Sequence, residues 1–246
     1  MGLRLAVALV RSLVVAEPGD VCVAIDVLRA TTTLSVLFAR GCRAVWLAAD
    51  VESARRFGRN SGRLLCGEVG GLAPPGFDYG NSPVEFSRLD LTGREVVFAT
   101  TNGTGTLRAC AAGDRVFAGA FVNAGATVRS ALRALDEPGR ADRRLLIACA
   151  GTRGHFGIED AACAGLIVRL VQAARPDASL DDAAEAARRL FDSFPGPLDA
   201  VGASAHAGGL RELGLGDDVA FSARVDATEV VPELRPDAAW PLYLVD

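Results

Sequence analysis

Six residues in this chain have the types and neighbours that chemistry on a small anion needs: Asp26, Arg29, Glu68, Arg153, Glu159 and Asp160. The run Asp26-Val27-Leu28-Arg29-Ala30-Thr31-Thr32-Thr33 closes an otherwise apolar stretch. There the carboxylate suits a cation and the guanidinium suits bidentate pairing with an anion, while hydroxyls and free N–H groups open the next helix. A threonine N-cap accounts for the hydroxyls, but less well for a carboxylate inside an apolar strand. Cys66-Gly67-Glu68-Val69-Gly70-Gly71 repeats the theme, with glycines that allow close backbone approach; an ordinary glycine turn explains that segment equally well. The stretch Thr100-Thr101-Asn102-Gly103-Thr104 offers hydroxyl and N–H groups where a strand passes into a helix, and it lacks the third glycine of a dinucleotide fingerprint. Gly151-Thr152-Arg153-Gly154-His155 leads to Glu159-Asp160, of which one acid is explained by the helix dipole alone. Asn81 lies in a turn-rich loop, Asn123 reads as an N-cap, and His155 sits in a loop where histidines are more often incidental.

These residues need strands and helices to hold them. Apolar runs at 3–10, 21–27, 44–48, 64–66, 95–100, 116–118 and 145–150 predict strands, and 32–40, 51–59, 105–112, 124–135 and 158–174 predict intervening helices. Near-continuous apolar strands alternating with helices indicate an α/β fold, with a mostly parallel sheet flanked by helices in three layers. In such sheets ligands bind beyond the carboxyl ends of the strands, where the polar residues above would gather. Further on, 181–191 and 204–213 predict helices, 194–197 a breaker and 219–225 a strand, with Pro232, Pro236 and Pro241 marking an irregular tail. The expected organisation is a single domain over 1–246, with about 194–246 packed back as a C-terminal extension.

Composition narrows the chemistry. All 26 Lys+Arg residues are arginine. Without lysine there is no Walker A loop, no kinase strand lysine and no pyridoxal Schiff base. A formal charge of −4 argues against general nucleic-acid binding. The six cysteines form no CxxC pair, so buried free thiols in a reducing cytoplasm are expected, and His155 and His206 alone support zinc poorly. No apolar run reaches the roughly 18 residues of a membrane span. Three or four carboxylates, several hydroxyls and two arginines suggest an Mg²⁺-assisted reaction on a phosphorylated small molecule.

Ile25-Asp26-Val27-Leu28-Arg29-Ala30-Thr31-Thr32-Thr33, Gly80-Asn81-Ser82-Pro83, Thr100-Thr101-Asn102-Gly103-Thr104, Asn123-Ala124 and Cys149-Ala150-Gly151 occur in that order, followed by Glu159-Asp160 and Ala164-Gly165. The ordered set resembles the 2-phosphosulfolactate phosphatase family, the second enzyme of one coenzyme M route, over roughly residues 20 to 170. One departure is Val69, where the resemblance leads one to expect an arginine after Glu68. The resemblance implies Mg²⁺-dependent hydrolysis of a phosphate ester of 3-sulfolactate by an α/β fold of the family's own type. The sequence agrees that common phosphatase types are absent: Arg153 falls four residues after Cys149 rather than six, position 28 of a would-be Asp-x-Asp is Leu28, and no GxSxG elbow occurs. On this basis Asp26, Glu68, Glu159 and Asp160 are expected at the cation, and Arg29 and Arg153 on phosphate, sulfonate or carboxylate. Thr31, Asn81, Thr100, Thr101, Asn102, Gly103, Thr104 and Asn123 are expected at the substrate. Two alternatives stand beside it: the same chemistry on another small phosphorylated carboxylic acid, and a non-catalytic anion-binding module. The implied partner is a small anionic phosphate ester, with no nucleic acid, no membrane, and a homodimer left open.

Overall fold

A computed structural model describes residues 2–137, 144–235 and 243–245 of the chain. The strands are β1 (Arg4–Ala8), β2 (Val21–Ile25), β3 (Ala44–Leu47), β4 (Leu64–Gly67), β5 (Glu95–Ala99), β6 (Arg115–Gly119), β7 (Arg144–Cys149), β8 (Ser179–Leu180), β9 (Glu233–Arg235) and β10 (Tyr243–Val245). The helices are α1 (Ala30–Ala39), α2 (Val51–Gly58), α3 (Pro83–Phe86), α4 (Gly103–Ala109), α5 (Ala124–Leu135), α6 (Ile158–Ala174), α7 (Asp182–Asp192), α8 (Pro197–Gly202), α9 (Ala205–Glu212) and α10 (Gly216–Ser222).

Each central strand buries both faces, and its residues alternate between two cores as the two-residue strand period requires. Val21, Val23 and Ile25 of β2, with Leu145 and Ile147 of β7, pack under α5, α6, α7 and the C-terminal helices. Cys22, Ala24, Leu146 and Ala148 face the other way, onto α1 and α4 and, beyond them, residues of β3 and β5. The expected sheet with helices on both faces is therefore present. All six cysteines are buried and free. Among the described residues no helix is long and apolar enough to cross a membrane.

The sheet order is β4-β5-β3-β10-β9-β6-β2-β7-β1-β8. Pairing is parallel except where β10 meets β3, β9 meets β10 and β9 meets β6. The late β9 and β10 are thus inserted between two parallel blocks and reverse one relative to the other. Residues that follow the carboxyl ends of β2, β4, β5 and β7 nevertheless line one cavity.

Two expectations need correction. Residues 219–225 do not form a strand; they fall largely in α10, where Asp218, Val219 and Ser222 are the buried positions. That spacing is helical, and Asp217 and Asp218 occupy the first turn, where acids favour a helix. The tail is also less irregular than expected, since β9 lies just after Pro232; Pro236 and Pro241 lie outside the described residues. The loop before α3 gains one short turn, with Pro83 at its first position and Ser82 Oγ accepting from Glu85 N at 3.1 Å.

Candidate active site

β2 ends at Ile25, and the chain turns through Asp26–Arg29 into α1. Asp26 is 5% exposed. Its Oδ1 accepts from Ala30 N at 3.2 Å, so the start of α1 holds one oxygen and leaves the other toward α4. A Cβ on Gly103 would lie 2.8 Å from Asp26 Oδ2 and 2.3 Å from Ala30 Cβ. Glycine is required there for α4 to approach the carboxylate. Burial, with Glu68 and Glu159 nearby, pushes the Asp26 carboxyl up to about 6, against opposing help from His206 and the Ala30 N–H.

Glu68 follows Gly67, whose φ is +145° and whose hypothetical Cβ would sit 1.9 Å from Ala99 O. The bare backbone lets β4 end tightly against β5 and delivers Glu68 to the cavity. Its two oxygens accept from Thr101 N at 2.7 Å and Gly71 N at 2.9 Å. Glu68 therefore braces two turns of the wall.

Glu159 and Asp160 stand side by side in the first turn of α6, and successive helical residues diverge by about 100°. Glu159 lines the cavity at 1% exposure, with Oε1 3.3 Å from His206 Nδ1 and Oε2 without a hydrogen-bond partner. Asp160 turns the other way. Its oxygens accept from Val27 N at 2.8 Å and Gly151 N at 2.9 Å, tying the end of β2 to the end of β7. Burial, then Glu159 and Asp26, hold the Asp160 carboxyl well above the usual carboxylate range.

The cavity has a volume of about 730 Å³. It brings together Asp26, Arg29, Glu68, Asn81, Thr101, Asn102, Arg153 and Glu159 from the residues singled out in the sequence. Asn81 is 3% exposed and its Oδ1 has no partner, the second buried oxygen at this cavity left unpaired. Arg153, at φ +52°, is exposed and held through its N–H to Asn102 Oδ1 at 3.3 Å.

Seven of the singled-out residues sit differently from what the sequence suggested. Asp160 turns away from the cavity, and Gly103 packs against Asp26 without lining the cavity. Arg29 lines the cavity, but Nη1 donates to Asp218 Oδ2 at 2.7 Å and Nη2 to Gly71 O at 2.6 Å. Its charge is already matched within a buried pair. Thr31 Oγ1 donates to Asp26 O and accepts from Asp26 N, closing the turn behind the carboxylate. Thr100 and Thr104 bond to each other, and neither is among the lining residues. Asn123 is fully buried at the end of β6, donating to Ser35 Oγ, Ala118 O and Val230 O and accepting from Ala120 N. It locks the β9 approach and does not line the cavity.

The sequence did not single out two contributors from the C-terminal helices. Asp218 on α10 also accepts from Ser82 Oγ at 2.6 Å, joining Arg29 to the α3 loop. His206 on α9 lies 3.1 Å from Thr152 Oγ1 and 3.3 Å from Glu159 Oε1, both through Nδ1. Burial works against its charged form, but Glu159, Asp26 and Glu68 outweigh it and raise the imidazole above the ordinary histidine range. The signal for His206 was slight: one of only two histidines, following the helix cap Ser204.

Among the described residues no three His, Cys, Asp or Glu side chains converge as a ready metal cage. The unpaired Glu159 Oε2 and Asn81 Oδ1, from residues lining the same cavity as Asp26, are nonetheless hard oxygen donors. That set fits Mg²⁺, which typically keeps several waters and takes one or two carboxylates together with substrate phosphate.

An α/β frame whose strand ends surround a cavity of buried carboxylates, small polar loops and an arginine without an ion pair among the described residues defines a site suited to a small anion. Comparison with known proteins narrows this class. The model of the 2-phosphosulpholactate phosphatase family matches residues 9–237, and the chain belongs to that family. A probable 2-phosphosulfolactate phosphatase of Deinococcus radiodurans is 39% identical over 219 residues, covering 88% of each chain. Counterparts from Symbiobacterium thermophilum and Thermus thermophilus, with the same description, are 37% and 36% identical. They cover 87% and 88% of this chain and 91% and 88% of their own.

Proposed function

We propose that this chain hydrolyses 2-phospho-3-sulfolactate to 3-sulfolactate and phosphate, with Mg²⁺ as its cofactor. The observation that supports this most is the cavity holding Asp26 and Glu159 nearly fully buried with unpaired oxygen beside them, in a chain of this phosphatase family. Asp26, Glu159 and Asn81 would hold the ion. Bound there, Mg²⁺ would supply positive charge against the phosphoryl oxygens.

The remaining work belongs to the chain. Asp26, fixed by Ala30 N–H, orients the attacking group at one end of the cavity. Glu68 holds the Thr101 and Gly71 backbones in place around it. His206 anchors Glu159 through Oε1 and leaves Oε2 free. Arg153 is the lining arginine without an ion pair among the described residues, and it pairs with the substrate's carboxylate or sulfonate. Arg29 and Asp218 keep the wall in position. The buried free thiols favour a reducing cytoplasm as the place of action.

A second reading, the same reaction on another small phosphorylated carboxylic acid, is favoured by Val69, which stands 60% exposed where an arginine was expected. Phosphate release from 2-phosphosulfolactate, 2-phospholactate and phosphoglycolate, each with Mg²⁺ and with EDTA, separates the readings. Preference for the sulfonated ester with loss in EDTA supports the first. Preference for another ester supports the second. Thermal stabilisation by these esters without any phosphate release identifies a non-catalytic anion-binding module.

A further inference from the structure

The cavity lining is of two kinds. Asp26, Asn81 and Glu159, none more than 5% exposed, form a polar floor, whereas Leu28, Phe156, Ile158, Leu210 and Leu213 present hydrocarbon. Leu28 and Leu210 are 3% and 2% exposed and back this wall, while Phe156 and Leu213 remain 49% and 42% exposed. Two large side chains therefore show apolar surface in a concave site, an arrangement that marks ligand contact more often than scattered surface residues do. Of the lining arginines, Arg29 is paired with Asp218, and Arg153 lies three residues before Phe156 in the loop after β7, where it serves the anionic part of a substrate. The charged neighbour beside Leu213 is Glu212, which repels a further anion.

Volume points the same way. A sulfolactate phosphate has about fourteen heavy atoms, which fill on the order of 400 Å³ even at the roughly 30 Å³ that a water takes in the liquid. The cavity of about 730 Å³ leaves room for several more atoms.

We infer that the site also takes phosphate monoesters whose alcohol carries an apolar, phenyl-sized group, with the phosphate on the polar floor and the hydrocarbon against Phe156 and Leu213. The inference rests on the phosphatase reading above. Water adds to phosphorus, the ester P–O bond breaks, and the alcohol leaves with a proton that the water supplied.

The test is the ratio of kcat/KM for phenethyl phosphate to that for ethyl phosphate, two primary alkyl esters with similar leaving groups, with 2-phosphosulfolactate as reference and Mg²⁺ present. Apolar contacts of this kind are worth roughly tenfold or more in selectivity. The expected wild-type ratio is at least about tenfold. Phe156→Ala and Leu213→Ser should each lower it several-fold. A ratio of rates on one preparation is independent of the fraction folded. A wild-type ratio near one, a ratio that both variants leave unchanged, or no phenethyl phosphate turnover while 2-phosphosulfolactate is hydrolysed overturns the inference. Phosphate release from none of the esters overturns the phosphatase reading and this inference with it.

Discussion

Replacing Asp218 with alanine removes the carboxylate that matches Arg29 at the cavity wall. Both residues are nearly fully buried, at 1% and 3% exposure. Charges about 4 Å apart interact by about 4 kcal/mol at an effective dielectric near 20, and removing one member of a buried pair typically costs about 3–5 kcal/mol. Asp218→Ala also leaves Ser82 Oγ without its acceptor, so the upper part of that range applies. For a chain of this size each kcal/mol moves Tm by about 2–4 °C, which gives a fall of roughly 10 °C or more. Arg29→Met should cost less, because Asp218 keeps its contacts with Ser82 and the Val84 N–H. The double variant Arg29→Met/Asp218→Ala removes both charges and should recover at least about 1.5 kcal/mol relative to the sum of the two single losses. Urea unfolding of the four proteins at pH 7 measures this. A loss below about 1 kcal/mol in Asp218→Ala, or single losses that simply add, refutes the claim that the pair is a structural tie.

Gly103→Ala places a methyl against Ala30 Cβ and Asp26 Oδ2, so a stability loss of about 1–3 kcal/mol is expected. A kcat drop of at least tenfold should accompany it, read by unfolding and by phosphate release on the same preparation. Asn123→Ala breaks the bonds to Ser35, Ala118, Val230 and Ala120, so unfolding should show a loss of about 2–4 kcal/mol. Its KM should stay within about twofold of wild type, since a structural lock does not touch substrate. Arg153→Ala should raise KM about tenfold with a smaller change in kcat, as expected when a ground-state contact is lost. A fall in kcat at unchanged KM would contradict that role.

Much of the frame was legible because central strands buried on both faces leave near-continuous apolar runs, as β2 and β7 do. The order of those strands was not. Its key step is the insertion of β9 and β10, three residues each and paired across more than a hundred positions with β6 and β3. Segments that short carry no periodicity to read. Residues 219–225 suggest a strand because Val219, Phe221, Ala223 and Val225 recur at every second position, and over so short a segment that pattern does not exclude a helix.

At the site, sequence showed which strand ends carry polar groups but not which way each side chain turns. Glu159 and Asp160 are adjacent and alike in type, yet only Glu159 faces the cavity. Arg29 looked like a free cation because its partner Asp218 is 189 residues away. His206 reaches Glu159 across 47 residues and from a helix whose sequence shows only a cap.

The central claim is that a cavity organised around Asp26 hydrolyses a phosphate ester with the help of a divalent cation. Phosphate release from 2-phosphosulfolactate at saturating Mg²⁺, by wild type and by Asp26→Asn, tests it most directly. The account predicts turnover by wild type that EDTA abolishes and added Mg²⁺ restores, and a kcat at least about a hundredfold lower in the variant. Wild-type turnover unaffected by EDTA, or an Asp26→Asn rate near that of wild type, would contradict it.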